Sequence, residues 1–332
     1  MAGNLNHSYK VLIPLYNVEL DKPFNITFPF PDFVPRTLLS PDQEIEIRIT
    51  LIPWDRTQPT SVSLLKRFCD VSELPKDFDR FQRPLEILAS AMLIIDLASS
   101  HFILGAFYTD EDNCFRSFVE ALKLFDDSEP NYSQGFYFND NKSTGWTINW
   151  PLKEIQGTPL KIDADVLNRH KDLFFKIWFI ETTHKEMVGH RVLHLAKKYY
   201  LLSSTQTEYD VIFIFLMISF EALFKRSEEE DVNRAVSIFR KLIADTKQES
   251  DDIWKFMSPQ EKGCCYLRNG IVHGNENAGN VSSQTFWLLK SYLRRAIVTL
   301  IELLSLNKVD RNDYYESLHT YAEQRFNSLT PS

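Results

Sequence analysis

In the segment YLRNGIVHG, Tyr266 to Gly274, an arginine and a histidine stand with four residues between them, and the first of the four is the amide Asn269. These side chains suit acid–base and anion chemistry. Imidazole titrates near neutral pH, so His273 can carry protons to and from oxygen atoms. Guanidinium presents a rigid fork of N–H donors, so Arg268 can hold a phosphate through two bonds and stabilise charge that builds on it. Asn269 can orient either the anion or the imidazole.

The surrounding residues place this pair on a helix. Ser258-Pro259-Gln260-Glu261 has a capping hydroxyl, a proline at the first helical position and a glutamate three residues after the cap, and Gly274 suits the left-handed residue past a helix end. One helix of about four turns is therefore expected from Pro259 to His273. On it Tyr266, Asn269, Gly270 and His273 share one face, while Cys264, Leu267 and Ile271 share another that suits the core. Arg268 and His273 lie about 140° apart around an ideal helix, so either the arginine wraps toward the imidazole or the last turn unwinds. Gly270 costs about 1 kcal/mol relative to alanine, which points to a close neighbour such as a partner helix. Upstream, Glu221 ends a very apolar segment where an unpaired carboxylate is costly. It is expected to pair with Arg268 or a nearby backbone group rather than to transfer protons. Tyr266 is read as a half-buried residue at a helix interface.

Arginine and histidine at this separation, with a polar residue after the arginine, resemble the R-x4-H signature of the HEPN ribonuclease superfamily. FEALF at Phe220 to Phe224, CYLRNGIVHG at Cys265 to Gly274 and LRRAI at Leu293 to Ile297 are similar to its Apea-like branch, over roughly His184 to Leu304. The resemblance implies a helical bundle that forms a homodimer with two motifs facing one cleft. It implies a metal-independent endoribonuclease, in which a ribose 2'-hydroxyl attacks the adjacent phosphorus to leave 2',3'-cyclic phosphate and 5'-hydroxyl ends. Arg268 and His273 would be catalytic, Asn269 and Glu221 supporting, with no metal and no cofactor. One histidine per chain cannot be base and acid in a single step, which gives a physical reason for pairing two chains. A toxin-like growth-arresting or antiviral defence role in bacteria is implied as well, with room for an inhibitory or sensor protein partner.

Blander accounts compete with this one. Arg268 and His273 can be helix C-terminal cations favoured by the macrodipole, and Asn269 an ordinary surface residue. The module can be a non-catalytic HEPN unit that binds RNA, nucleotide or a protein partner. His190 and His194 have the i, i+4 spacing of a helical metal pair, but lack both the glutamate of H-E-x-x-H and a third ligand, so surface histidines are favoured. There is no phosphate-cradling glycine loop. Cys69, Cys114, Cys264 and Cys265 form neither a CxxC pair nor a disulfide framework and read as buried free thiols.

The net charge of −8 is unsuited to an RNA enzyme until it is divided along the chain. Residues 1 to 160 carry 14 Lys/Arg against 22 Asp/Glu, and residues 161 to 305 carry 20 against 19. Neither part has the broad cationic face of a general RNA binder, which leaves selective or transient contact with an RNA substrate.

Proline usage also divides the chain, since of 15 prolines only Pro259 and Pro331 lie beyond Pro159. Glu44 to Leu51 alternates with period two, and Tyr9 to Leu20 and Phe24 to Phe30 read as extended. Gly135 to Asn139 and Trp146 to Trp150 flank a polar stretch as a hairpin would, whereas Leu85 to Thr109 fits either helix or strand. From Asp163 onward the spacing is helical, through Leu167, Phe174, Ile177 and Trp178, then Val192, Leu195, Ala196 and Tyr199. Val211 to Phe224 is apolar on all sides, as for an enclosed helix. Phe286, Leu289, Leu293, Ala296, Ile297, Leu300, Ile301 and Leu304 mark one buried face of a last helix.

The expected fold is α+β: a β-rich or mixed N-terminal domain over 1–158, an all-α HEPN-like bundle over 159–306, and a C-terminal tail over 307–332 open to helix formation. The N-terminus lacks a secretory pattern and the longest apolar run is about half a membrane span, so a cytoplasmic protein without membrane contact is expected.

Overall fold

The computed structural model describes residues 8–16, 18–20, 23–29, 46–53, 91–98, 120–121, 123–124, 131–132, 135–139, 142–146, 160–163, 165–166, 172–174, 176–177, 180, 186–204, 206, 208–274 and 281–329. The chain divides into two compact units, 1–178 and 179–332.

The first unit contains a seven-stranded antiparallel sheet. Strands β1 (Ser8–Tyr16), β3 (Phe24–Pro29), β4 (Glu46–Pro53), β5 (Ala91–Ala98), β7 (Gly135–Asn139) and β8 (Lys142–Trp146) run in the order β3-β4-β5-β1-β7-β8, with β6 (Asn131–Tyr132) also paired to β1. The register explains the alternation in β4. Ile47, Ile49 and Leu51 stand opposite Phe28, Ile26 and Phe24 on one side and Leu97, Ile95 and Leu93 on the other. Apolar positions thus line up across three strands, which is what fixes a sheet's register. The ambiguous segment resolves as strand where it holds β5. The hairpin forms with its return strand at Lys142–Trp146, inside the stretch expected to be its loop, because a short connection lets antiparallel strands pair sooner. A separate parallel pair joins β2 (Val18–Glu19) to β9 (Leu160–Lys161).

The second unit is mostly helical. Its helices are α1 (Val188–Ser203), α2 (Tyr209–Phe224), α3 (Val232–Ile243), α4 (Lys247–Met257), α5 (Cys264–Val272), α6 (Ser283–Ser305) and α7 (Tyr314–Asn327). Helix α2 packs against α1, α3, α5 and α6, while α7 lies on α3. The rings of Phe220, Phe224 and Phe239 meet with centroids 5.2 to 5.5 Å apart and knit α2 to α3. Side-chain caps open several helices: Asp231 Oδ1 accepts the Asn233 N–H at 2.9 Å, Thr246 Oγ1 that of Glu249 at 3.1 Å, and Ser282 Oγ that of Thr285 at 3.1 Å. The acidic run at Ser227 to Asp231 therefore ends as the start of α3.

All eight residues expected to face the core on α6 are buried. On α1 the expected face is turned by about one residue. Leu195 is 42% exposed, while Gly189, Leu193, Ala196 and Tyr200 are buried. Gly189 sets that rotation, since a Cβ there would stand 3.1 Å from both Leu304 and Tyr314, so the helix seats its glycine side inward.

A second correction falls on the start of α5. Ser258 closes α4, its N–H donating to Trp254 O at 2.8 Å, and residues 259–262 form a turn with Lys262 at φ 55°. The Ser258 hydroxyl accepts the N–H of Gln260 rather than that of Glu261, so the expected capping box is absent and the helix begins at Cys264. Gly263 caps it. A Cβ on Gly263 would lie 2.3 Å from the carbonyl oxygen of Phe256, so the chain doubles back at a distance that only glycine permits. Gly263→Ala is expected to lower stability by about 1–3 kcal/mol, as overpacking against immovable backbone does. Urea unfolding followed by circular dichroism checks this, and an unchanged midpoint would mean that the turn relaxes freely.

Candidate functional site

Two elements build the site. Helix α2 brings Glu221 to its last turn, and Lys225 follows immediately in extended backbone, its N–H donating to Glu221 O at 2.9 Å. Helix α5 lies against α2 and α4 through buried Cys264, Cys265 and Gly270, with Leu267 and Ile271 half-buried. Gly270 is thus covered within the single chain, and its burial does not require a second copy. The helix ends as its sequence suggests: His273 N–H donates to Asn269 O at 3.0 Å, Gly274 N–H to Ile271 O at 3.2 Å, and Gly274 adopts φ 64°.

The expected residues come together in part. Arg268 Nη2 donates to Glu221 Oε2 at 3.2 Å and Nη1 donates to Asn269 Oδ1 at 3.2 Å. The arginine therefore leans toward Asn269, on the His273 side of the helix, and the helical bond to His273 shows that the last turn does not unwind. Both partners of the ion pair are about a quarter to a third exposed, so water reaches them. His273 is exposed, and among the described residues its imidazole has no hydrogen-bond or ion-pair partner.

Cys265 reports the local field. Burial pushes its thiol up to about 12, the Glu221 carboxylate adds to this, and the Arg268 and Lys225 cations act the other way. Cys264, more deeply buried, is raised as well. Neither is a nucleophile at neutral pH, in keeping with the expected buried thiols; Cys69 and Cys114 lie outside the described residues.

One residue escaped the sequence reading: Lys225 brings a cation within electrostatic reach of Cys265, and the Glu-x3-Lys spacing from Glu221 was the available signal. Tyr266, expected to be half-buried, is 37% exposed on the face it shares with Asn269 and His273. His190 is buried and His194 exposed, so the two do not share one environment. Among the described residues no group of three or more His, Cys, Asp or Glu is placed to hold a metal ion, and no helix is long and apolar enough to cross a membrane.

Compared with family models, curated proteins and solved structures, the chain matches none. What it can do rests on its own residues: an anchored guanidinium and, at the same helix end, an imidazole without a hydrogen-bond or ion-pair partner among the described residues.

Two measurements test this geometry. A double-mutant cycle with Glu221→Gln and Arg268→Gln should give a coupling of about 1 kcal/mol, the upper range for a solvent-reached pair. A coupling near zero would show that the pair does not order the guanidinium in solution. Alkylation of the native protein at pH 8, mapped by mass spectrometry, should leave Cys264 and Cys265 unmodified until denaturant is added; rapid labelling of Cys265 would contradict its raised pKa.

Proposed function

We propose that the chain is a metal-independent endoribonuclease of HEPN type that works as a homodimer. The observation that carries this is the Arg268 guanidinium held by Glu221 and Asn269, on the helix that ends in the exposed His273, whose imidazole has no hydrogen-bond or ion-pair partner among the described residues. Arginine has five N–H donors, and the two bonds in place leave others for a phosphate. The exposed imidazole takes the proton of a ribose 2'-hydroxyl as that oxygen attacks phosphorus. The leaving 5'-oxygen must gain a proton in the same event, and a second His273 from a partner chain supplies it. Arg268 neutralises charge on the phosphorane between them. Asn269 and Glu221 support the arginine. The class of activity, read from the resemblance, is defence or toxin-like growth arrest in the cytoplasm, with room for an inhibitory or sensor protein partner.

One observation favours a rival. The bond to Glu221 neutralises part of the Arg268 charge and gives that arginine a structural role, as a HEPN module that binds RNA, nucleotide or protein without cutting would need.

Kinetics separate the two. His273→Ala should lose about 10²-fold or more in the rate of RNA cleavage, the usual loss on removing an acid–base group. Its stability should change by about 1 kcal/mol or less, since the residue is exposed at a helix end. Arg268→Lys keeps the charge but loses the fork and should also be impaired. Cleavage should survive EDTA, products should end in 2',3'-cyclic phosphate and 5'-hydroxyl, and a 2'-deoxy residue at the scissile position should block cutting. A folded His273→Ala protein that cuts at the wild-type rate would move the assignment to the binding module.

A further inference from the structure

Lys225 stands directly after the last residue of α2, about one helical turn beyond Glu221, and the mechanism above gives it no part. A glutamate four residues before a lysine usually pairs with it. Here the two are diverted: the Glu221 carboxylate takes Arg268 at 3.2 Å, while the Lys225 ammonium donates to the backbone oxygen of Glu228 at 3.3 Å. That bond is long for N–H to oxygen, its acceptor is neutral, and the ammonium has two further donors. Among the described residues no carboxylate stands within ion-pair distance of it. The charges at the site therefore balance unevenly. Glu221 and Arg268 cancel, so the guanidinium meant for a phosphate brings no net positive charge with it. Lys225 is the cation left over. It acts on the buried Cys265 thiol in the same sense as Arg268, which places it within reach of the helix that carries the motif. Of the acids that follow, Glu230 is bonded to the Arg226 N–H and lies 3.1 Å from Arg234, and Asp231 caps α3, while Glu228 and Glu229 are exposed.

We propose that Lys225 holds the phosphate next to the one that is cleaved. Arg268 keeps the scissile phosphate through its fork, and the Lys225 ammonium exchanges the Glu228 carbonyl for an oxygen of the neighbouring phosphate, as a point charge on a flexible stem can. This rests on the ribonuclease reading and adds to it a residue that binds substrate without moving protons. The exchange is favourable, because the bond given up is long and has a neutral acceptor, whereas the bond gained is charge-assisted on both sides. A competing account makes Lys225 only the cation that answers the C-terminal dipole of α2, a helix with no basic residue in its last turn. The two accounts differ in what a substitution changes. A dipole role shows in stability, and a phosphate contact shows in how binding depends on salt.

The test uses the full chain and a short fluorescein-labelled oligoribonucleotide. Binding is read by anisotropy over a salt series in a His273→Ala background, and cleavage in the otherwise unaltered protein. Lys225→Gln should weaken binding and raise KM about fivefold at low salt, with kcat little changed. It should also lower the slope of log affinity against log salt by about 0.7, the share of one single-strand phosphate. Lys225→Arg, which keeps the charge, should restore the slope. A neutral methylphosphonate is then placed on one side of the mapped cleavage site and next on the other. At one of the two positions it should weaken binding to the Lys225 protein about as much as Lys225→Gln does, and weaken Lys225→Gln no further. An unaltered slope in Lys225→Gln, with RNA still bound, would overturn the proposal and leave the dipole role. So would a methylphosphonate loss that persists undiminished in Lys225→Gln at both positions. RNA bound but not cut by the wild-type chain would sink the cleavage reading, and with it a contact beside a cleaved phosphate, while the salt slope would still tell whether Lys225 holds the backbone. A wild-type chain that neither binds nor cuts any RNA ends both.

Discussion

Helix α2 has sixteen residues, of which only Asp210 and Glu221 are charged, and Ile212, Phe213, Leu216, Met217, Phe220, Leu223 and Phe224 are buried. No amphipathic arrangement satisfies such a segment, because it has no polar side to leave in water. It has to be enclosed, and α1, α3, α5 and α6 do this. The placement of the site follows from that enclosure. Glu221 is the one charge near the end of the helix, and it emerges where α5 crosses. Arg268 answers it there. Both partners are reached by water, so the pair fixes where the guanidinium lies, while the buried Cys264, Cys265 and Gly270 dock α5.

That pair has two sides. It orders a long and otherwise mobile side chain, which lowers the entropy lost when a ligand is held. It also lowers the positive charge offered to an anion. Lys225 offsets part of this, since its cation acts on Cys265 alongside that of Arg268 while its ammonium donates to Glu228 O at 3.3 Å. His273 is arranged in the opposite way, exposed and with no hydrogen-bond or ion-pair partner among the described residues. One member of the motif is fixed and the other is left open.

What the sequence made legible was what repeats. The i, i+3, i+4 stripe of α6 gave its buried face residue by residue, and the alternation of β4 matched its partners on both sides. The Glu221 pairing was legible because a lone carboxylate on an apolar helix demands an answer, and few cations were near. What failed was local geometry that several residues set jointly. Ser258-Pro259-Gln260-Glu261 carries every feature of a helix start, yet the tight approach of Gly263 to Phe256 turns it into the close of the preceding helix. The same holds for α1, whose apolar spacing fits two neighbouring rotations and whose choice between them depends on a glycine packing against distant Leu304 and Tyr314.

Helix α7 lies beyond the stretch that carries the family resemblance, yet it buries Tyr314, Leu318 and Ala322 and pairs Glu316 with Arg234 at 2.9 Å and Arg325 with Asp245 at 3.2 Å. Its Tyr314 also forms part of the seat for Gly189 on α1. A fragment trimmed to the motif-bearing helices would bare the outer side of α3 and loosen the first helix as well. The smallest piece able to be expressed as an independent folding body therefore runs through Asn327, and a tag or fusion is better joined after that residue than at the end of α6.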